Sequence, residues 1–186
     1  MIEEPHSPEL RQARVLLDEF ILARGFRPFR TEVCLHHDGL RVAGQADLLC
    51  LDTNDRIAVF DWKRSREIRM DNAFRSMQEP LENLPDCNYY TYALQPAPQL
   101  HTRILECILC KLIGRSTYVT LRHLRLNVYA FILEDQYGYE ISSMYLLVVH
   151  PDLPAPRVIC VPRLQEEVRL LVEHEVMSGR AALTNA

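Results

Sequence analysis

Two apolar runs rich in strand formers, Leu40–Leu51 and Arg56–Lys63, flank the tetrapeptide Asp52-Thr53-Asn54-Asp55. Asp and Asn bond to their own backbone and interrupt a strand, so this pattern predicts two antiparallel strands joined by a tight turn. Arg30–His36 alternates in the same way ahead of a second turn signal, His37-Asp38-Gly39, which extends the hairpin to a three-stranded meander. The two-residue period of a strand then fixes which side chains share a face, and Lys63 falls on the face of Asp61. Asp47 and Asp61 each sit among strand-forming apolar residues, where a carboxylate is costly unless something compensates it. Gly44, three residues ahead of Asp47, lets a backbone or a ligand approach closely.

Around this meander the chain alternates helix and strand signals. Ser7, Pro8 and Glu9 form a helix start, with Ser7 as its cap. Leu10, Ala13, Leu17, Phe20 and Ile21 recur at helical spacing until Gly25. Further on, residues 70–78 read as a short helix and 88–95 as the beginning of another. Residues 126–138 read as a helix ending at Gly138, 141–151 as a buried strand, 157–162 as a short strand, and 164–177 as a last amphipathic helix. The expected fold class is α/β, a mixed central sheet flanked by helices in one domain. The chain has 186 residues, enough for a full core, and a net charge of −4, so a nucleic-acid partner requires a local basic patch. No stretch is apolar enough to span a membrane, and the acidic, polar first residues do not read as a signal peptide. The six cysteines are mostly scattered in apolar runs, which reads as reduced, buried thiols of an intracellular protein.

Two carboxylates converging from adjacent strands suit a hard divalent cation such as Mg²⁺ or Mn²⁺, which takes oxygen ligands and keeps waters. A lysine beside that ion can orient or deprotonate a water and steady a phosphate. The group Asp47, Asp61 and Lys63 therefore suits metal-assisted phosphodiester hydrolysis. Residues 63–69 are rich in Lys and Arg, and read either as a solvated loop or as a phosphate-contacting rim. Cys107 and Cys110 lack a second pair to complete a zinc site. Tyr89, Tyr90 and Tyr92 read either as base-stacking groups or as a helix packing face.

The ordered set Gly44-x-x-Asp47 and Asp61-Trp62-Lys63 resembles the PD-(D/E)XK nuclease superfamily in its RecB-like, lambda-exonuclease-like branch. It is also similar, around Asp61-Trp62-Lys63, to the mitochondrial genome-maintenance exonucleases. The resemblance implies a restriction-endonuclease-like core and a divalent-metal-dependent nuclease, with DNA as the expected substrate and RNA not excluded. It implies Asp47 and Asp61 as metal ligands, Lys63 as the catalytic lysine and the Trp62 carbonyl as a further ligand. Glu32, on the preceding strand, is a weaker candidate ligand, and an outward-facing strand residue reads equally well. The alternative is a nuclease-fold module that binds nucleic acid or a protein partner without cutting.

The branch also carries Gln-x-x-x-Tyr on the helix after the lysine strand. Here Gln95 is followed by Pro96 and Pro98, and Tyr129 comes only after residues 96–125. Joining Gln95 to Leu126 would restore one helix with Gln95 and Tyr129 four apart on one face, flanking the site. Residues 96–125, with five Lys or Arg and one Glu, are thus expected to be an atypical insertion, either genuine or translated from an intron. The N-terminal histidine of the branch has no clear counterpart, so the domain is expected to be truncated at its front.

Overall fold

The computed structural model describes residues 7–40, 42–68, 125–170 and 172–173. Five strands form one sheet in the order β1-β2-β3-β4-β5: β1 Arg27–His37, β2 Val42–Leu51, β3 Ile57–Arg64, β4 Ile141–Val149 and β5 Arg157–Cys160. β2 and β3 are antiparallel, β3 and β4 parallel, and β4 and β5 antiparallel, so the sheet is mixed and the fold is α/β. The helices are α1 (Pro8–Val15), which continues through a wider π-type stretch at Leu16–Leu22, α2 (Arg125–Asp135), and α3, described from 165. The expected helix at 70–78, the helix beginning at 88–95, Gln95 and residues 96–124 lie outside the described residues.

The chain divides into two compact units. One comprises the described residues of Met1–Val33, Ala46–Ile68 and Tyr139–Pro162, and the other those of Cys34–Gln45, Arg69–Gly138 and Arg163–Ala186.

In the first unit, Leu48 and Cys50 of β2, Ala58 and Phe60 of β3, and Leu147 and Val149 of β4 cluster with Leu16 and Ile21 of the helical segment. Phe20, Phe26, Trp62 and Tyr145 pack around them. Phe26 meets Phe60 edge-on at 5.4 Å between centroids, and Phe60 stacks on Tyr145 at 5.2 Å. Each such side chain contributes about 1.5–3 kcal/mol by leaving water. The other face is also apolar: Leu49, Val59, Met144 and Leu146 are all buried. Burial on both faces is why Ile57–Phe60 of β3 and Leu146–Val149 of β4 read as short apolar runs, as parallel pairs do.

The N-terminal helix departs from its expected form. Leu10, first of the apolar stripe, is 58% exposed, and from Leu16 onward the turns widen. Ala23 and Phe26 donate to carbonyls five residues back, at Asp18 and Ile21. This shift brings both Leu16 and Ile21 into the core. Ser7 sits at the N-cap with extended backbone, but its hydroxyl donates to Glu9 Oε2 at 2.6 Å instead of receiving a helix amide. Gln12 fixes α1 to the segment after β4, donating to the His150 and Leu153 carbonyls and accepting the His150 N–H. The helix ends at Gly25, whose φ of 79° suits a residue without a side chain.

The turn between β2 and β3 is organised by Asp52. Its Oδ1 accepts the N–H groups of Asn54 and Arg56, and its Oδ2 pairs with the Arg56 guanidinium at 3.0 Å. Burial works against its charge, but these donors outweigh it and hold its carboxyl below the usual range. β1 begins at Arg27, earlier than expected, and is exposed from Arg27 through Glu32. It lies at the edge of the sheet, where Pro28 costs no ladder bond.

In the second unit, α2 buries Leu126, Tyr129, Ala130, Ile132 and Leu133. The Asn127 side chain accepts the Leu164 N–H at 2.7 Å, tying α2 to the approach to α3. Asp135, at the end of α2, bonds His37 Nε2 at 2.8 Å, and the His37 ring stacks on Phe131. His37 Nδ1 accepts the Leu40 N–H, so both ring nitrogens are committed to holding the β1–β2 turn. That is a structural role for this residue, as its place in a turn suggested.

Candidate active site

The hairpin register ends with Leu48 opposite Phe60, and Asp47 and Asp61 are the next residues along their strands. Leu48 and Phe60 face the aromatic cluster, so alternation turns both aspartates to the other side of the sheet. Beyond Leu48 the Trp62 N–H bonds the Asp47 carboxylate, Oδ2, at 2.8 Å. A side chain here takes the amide where the ladder stops, and this fixes Asp47 against β3. Asp47 is half-buried, while Asp61 is only 1% exposed.

Lys63 completes the group. Its Nζ lies 2.5 Å from Asp61 Oδ2, and its side chain is 10% exposed. A buried ionised carboxylate requires a compensating charge, and this ammonium provides one. β3 has a neighbour on each side, β2 and β4, so both groups are carried by an interior strand.

The donor set is chemically suited to a hard divalent cation: two carboxylates from adjacent strands, with the Trp62 backbone between Asp61 and Lys63. Among the described residues, no group of three or more His, Cys, Asp or Glu is placed to hold a metal ion. Glu32 lies on β1, exposed and with φ of 51°, a conformation rare for a residue with a side chain. Gln95 lies outside the described residues.

In the second unit, Gly44 meets Tyr129. A Cβ on Gly44 would come within 3.0 Å of Tyr129 Cζ, and the Tyr129 hydroxyl accepts the Gln45 N–H at 3.2 Å. The close approach that Gly44 permits is therefore that of a buried tyrosine ring. The spacing of Gly44 signalled a close approach, but a tyrosine more than eighty positions away could not be matched to it from local pattern.

In the basic stretch that begins at the end of β3, Arg64 pairs with Glu9 at 3.0 Å, and Arg66 lies 3.9 Å from Asp152. Both arginines are exposed, so these pairs contribute little and can be exchanged for other anions. The Ser7 hydroxyl, a backbone amide and Arg64 together pull the Glu9 carboxyl down to about 2. Of the described cysteines, Cys50 is buried, whereas Cys34 and Cys160 are exposed, contrary to the expectation of buried thiols; all three are free. Strands at the sheet edges, β1 and β5, carry the exposed two.

No protein-family model matches the chain, and no curated protein matches it. Among the described residues, no helix is long and apolar enough to cross a membrane.

Proposed function

We propose that this chain is a divalent-metal-dependent nuclease with a restriction-endonuclease-like core, hydrolysing phosphodiester bonds of DNA. The observation that supports this reading is the buried Asp61–Lys63 pair at 2.5 Å, on the strand whose Trp62 amide holds Asp47. Asp47, Asp61 and the Trp62 carbonyl are the oxygen donors that would hold Mg²⁺ or Mn²⁺, which supplies Lewis-acid activation and charge neutralisation when bound. Lys63 offers three N–H donors at the same spot, suited to a non-bridging phosphate oxygen or to an attacking water. The Trp62 N–H keeps Asp47 aimed along β3, and the buried flanks of the strand limit the positions either carboxylate can take. Arg64 and Arg66, exchanging their surface acids for phosphates, would supply local positive charge on a chain of net charge −4.

The experiment is incubation of the purified chain with labelled single- and double-stranded DNA in Mg²⁺, Mn²⁺ or EDTA. Cleavage is expected only with the metals. Asp61→Asn, which keeps the shape and removes the charge, abolishes it. Cleavage that survives both EDTA and Asp61→Asn overturns the mechanism. The second reading, a nuclease-fold module that binds nucleic acid or a protein partner without cutting, is favoured by one observation: among the described residues, no third acidic or histidine donor joins the two aspartates. Metal-independent DNA binding without cleavage under any of these conditions would select it.

A further inference from the structure

We infer that Arg157 grips a phosphate of the DNA to one side of Lys63, a role that rests on the nuclease reading above and extends the site across the sheet from β3 to β5. Residues directly opposite each other on neighbouring strands share a face, so the register carries the face of the site outward. Asp61 stands opposite Leu146, and Leu146 opposite Ile159. Two residues further along β3, Lys63 stands opposite Val148, and Val148 opposite Arg157. The row between them, Trp62, Leu147 and Val158, turns the other way and packs with the aromatic cluster against the helical segment. Arg157 therefore lies on the face of Asp61 and Lys63, in the row of Lys63 and two strands away.

Two strand spacings are about 10 Å, a span of about three phosphates along one strand of a duplex. Lys63 and Val148 are buried, whereas Arg157 is exposed on the edge strand β5, so the row runs from the site out to water. Arg14, Arg27, Arg56, Arg64 and Arg66 of the same unit each lie against a carboxylate. Among the described residues, no carboxylate lies within ion-pair distance of Arg157. Arg64 is next to Lys63 in sequence, but it stands opposite Val149 and so falls on the helix face, where Glu9 of α1 takes it. A guanidinium is always charged, and its planar fork of donors fits a phosphate. Arg157 offers this fork on the face of the site without first releasing an acid. An arginine on an edge strand also discourages pairing with another sheet, but that role alone would leave the salt dependence of DNA binding unmoved.

The test is fluorescence anisotropy of a labelled double-stranded phosphorothioate oligonucleotide that resists cleavage, titrated with the full chain over a series of NaCl concentrations. Mg²⁺ is held far below the NaCl, so that Na⁺ is the counterion released. Arg157→Gln should lower the slope of log affinity against log salt by about 0.9, which is about eightfold in affinity per decade of salt. Arg157→Lys, which keeps the charge, should restore most of the slope. Arg27→Gln changes the net charge equally, but from the end of β1 that pairs with Asp55 of the β2–β3 turn, and should keep the wild-type slope. An unchanged slope in Arg157→Gln, an equal fall in Arg27→Gln, or a wild-type chain that does not bind the oligonucleotide overturns the inference. Cleavage of ordinary DNA in Mg²⁺ or Mn²⁺ is measured alongside, and there Arg157→Gln should raise KM with kcat unchanged, since its phosphate is remote from the scissile one. Metal-dependent cleavage with no change of slope in Arg157→Gln leaves the nuclease reading standing and removes this inference. A lowered slope in a chain that cuts under none of these conditions supports the Arg157 contact and counts against the nuclease reading.

Discussion

Gly44→Ala tests how the start of β2 is built. The new Cβ would lie 2.9 Å from the Tyr129 hydroxyl and 3.0 Å from Cζ, with Cε1 nearer still. The ring is 1% exposed, and its hydroxyl is committed to the Gln45 N–H. Forcing the ring aside costs about 1–3 kcal/mol as overpacking. Losing the hydrogen bond adds about 0.5–1.5 kcal/mol, and alanine returns about 0.5–1 kcal/mol relative to glycine in a strand. The expected net loss is about 2 kcal/mol, read from equilibrium urea unfolding as a lower midpoint at unchanged slope. In a Tyr129→Leu background the same substitution should cost almost nothing, because the obstructing ring is gone. A Gly44→Ala protein within about 0.5 kcal/mol of wild type, or an undiminished loss in the Tyr129→Leu background, refutes the reasoning.

Three further outcomes are expected. Removing one member of the buried pair, by Lys63→Ala in EDTA, should cost about 3–5 kcal/mol in urea unfolding, while replacing both by Asp61→Leu and Lys63→Met should recover most of it; equal losses would mean that the pair is not energetically coupled. Glu9 is held at about 2 against an ordinary 4.5, so its contribution to anchoring α1 is present above pH 4.5 and lost as pH falls toward 2. Amide exchange in α1 should rise through that window, and Glu9→Gln should abolish the rise. Burial pushes the Cys50 thiol up to about 12, so alkylation at pH 8 followed by peptide mass analysis should mark Cys34 and Cys160 in the native protein and Cys50 only after unfolding. Rapid native labelling of Cys50 would contradict its burial.

The hairpin was legible because its information is local. Asp52 and Asn54 stop β2, the alternation on either side sets the faces, and Lys63 falls with Asp61 by period alone. The buried strand at β4 and the helix ending near Gly138 were legible for the same reason. What sequence could not show depends on partners distant along the chain. Nothing in Arg27-Pro28-Phe29-Arg30 alternates, because an exposed edge strand is under no burial constraint. The widening at Leu16–Leu22 has no residue signature, since it is set by which side chains must reach the core. Ser7 had the right position for a cap, but its hydroxyl donates to Glu9 and receives no helix amide. At the site, that Lys63 and Asp61 share a face follows from period, but their direct pairing depends on burial at that depth, which spacing does not encode.

The parallel partnership of β3 with β4 has a consequence for synthesis. β2 and β3 are joined by a tight turn, whereas residues 65–140 separate β3 from the strand on its other side. On the ribosome the hairpin is therefore complete long before β4 exists, and the entropy of closing so long a connection makes this pairing the slow one. During that interval the flank of β3, from Ile57 to Arg64, is an open row of amides and carbonyls on an apolar strand, a template for any neighbouring nascent chain. Polysomes translating this message are thus where the protein is most exposed to misassembly. Slow translation after Arg64 lengthens that exposure, and a chaperone that shields the hairpin during this interval should raise the yield of folded protein.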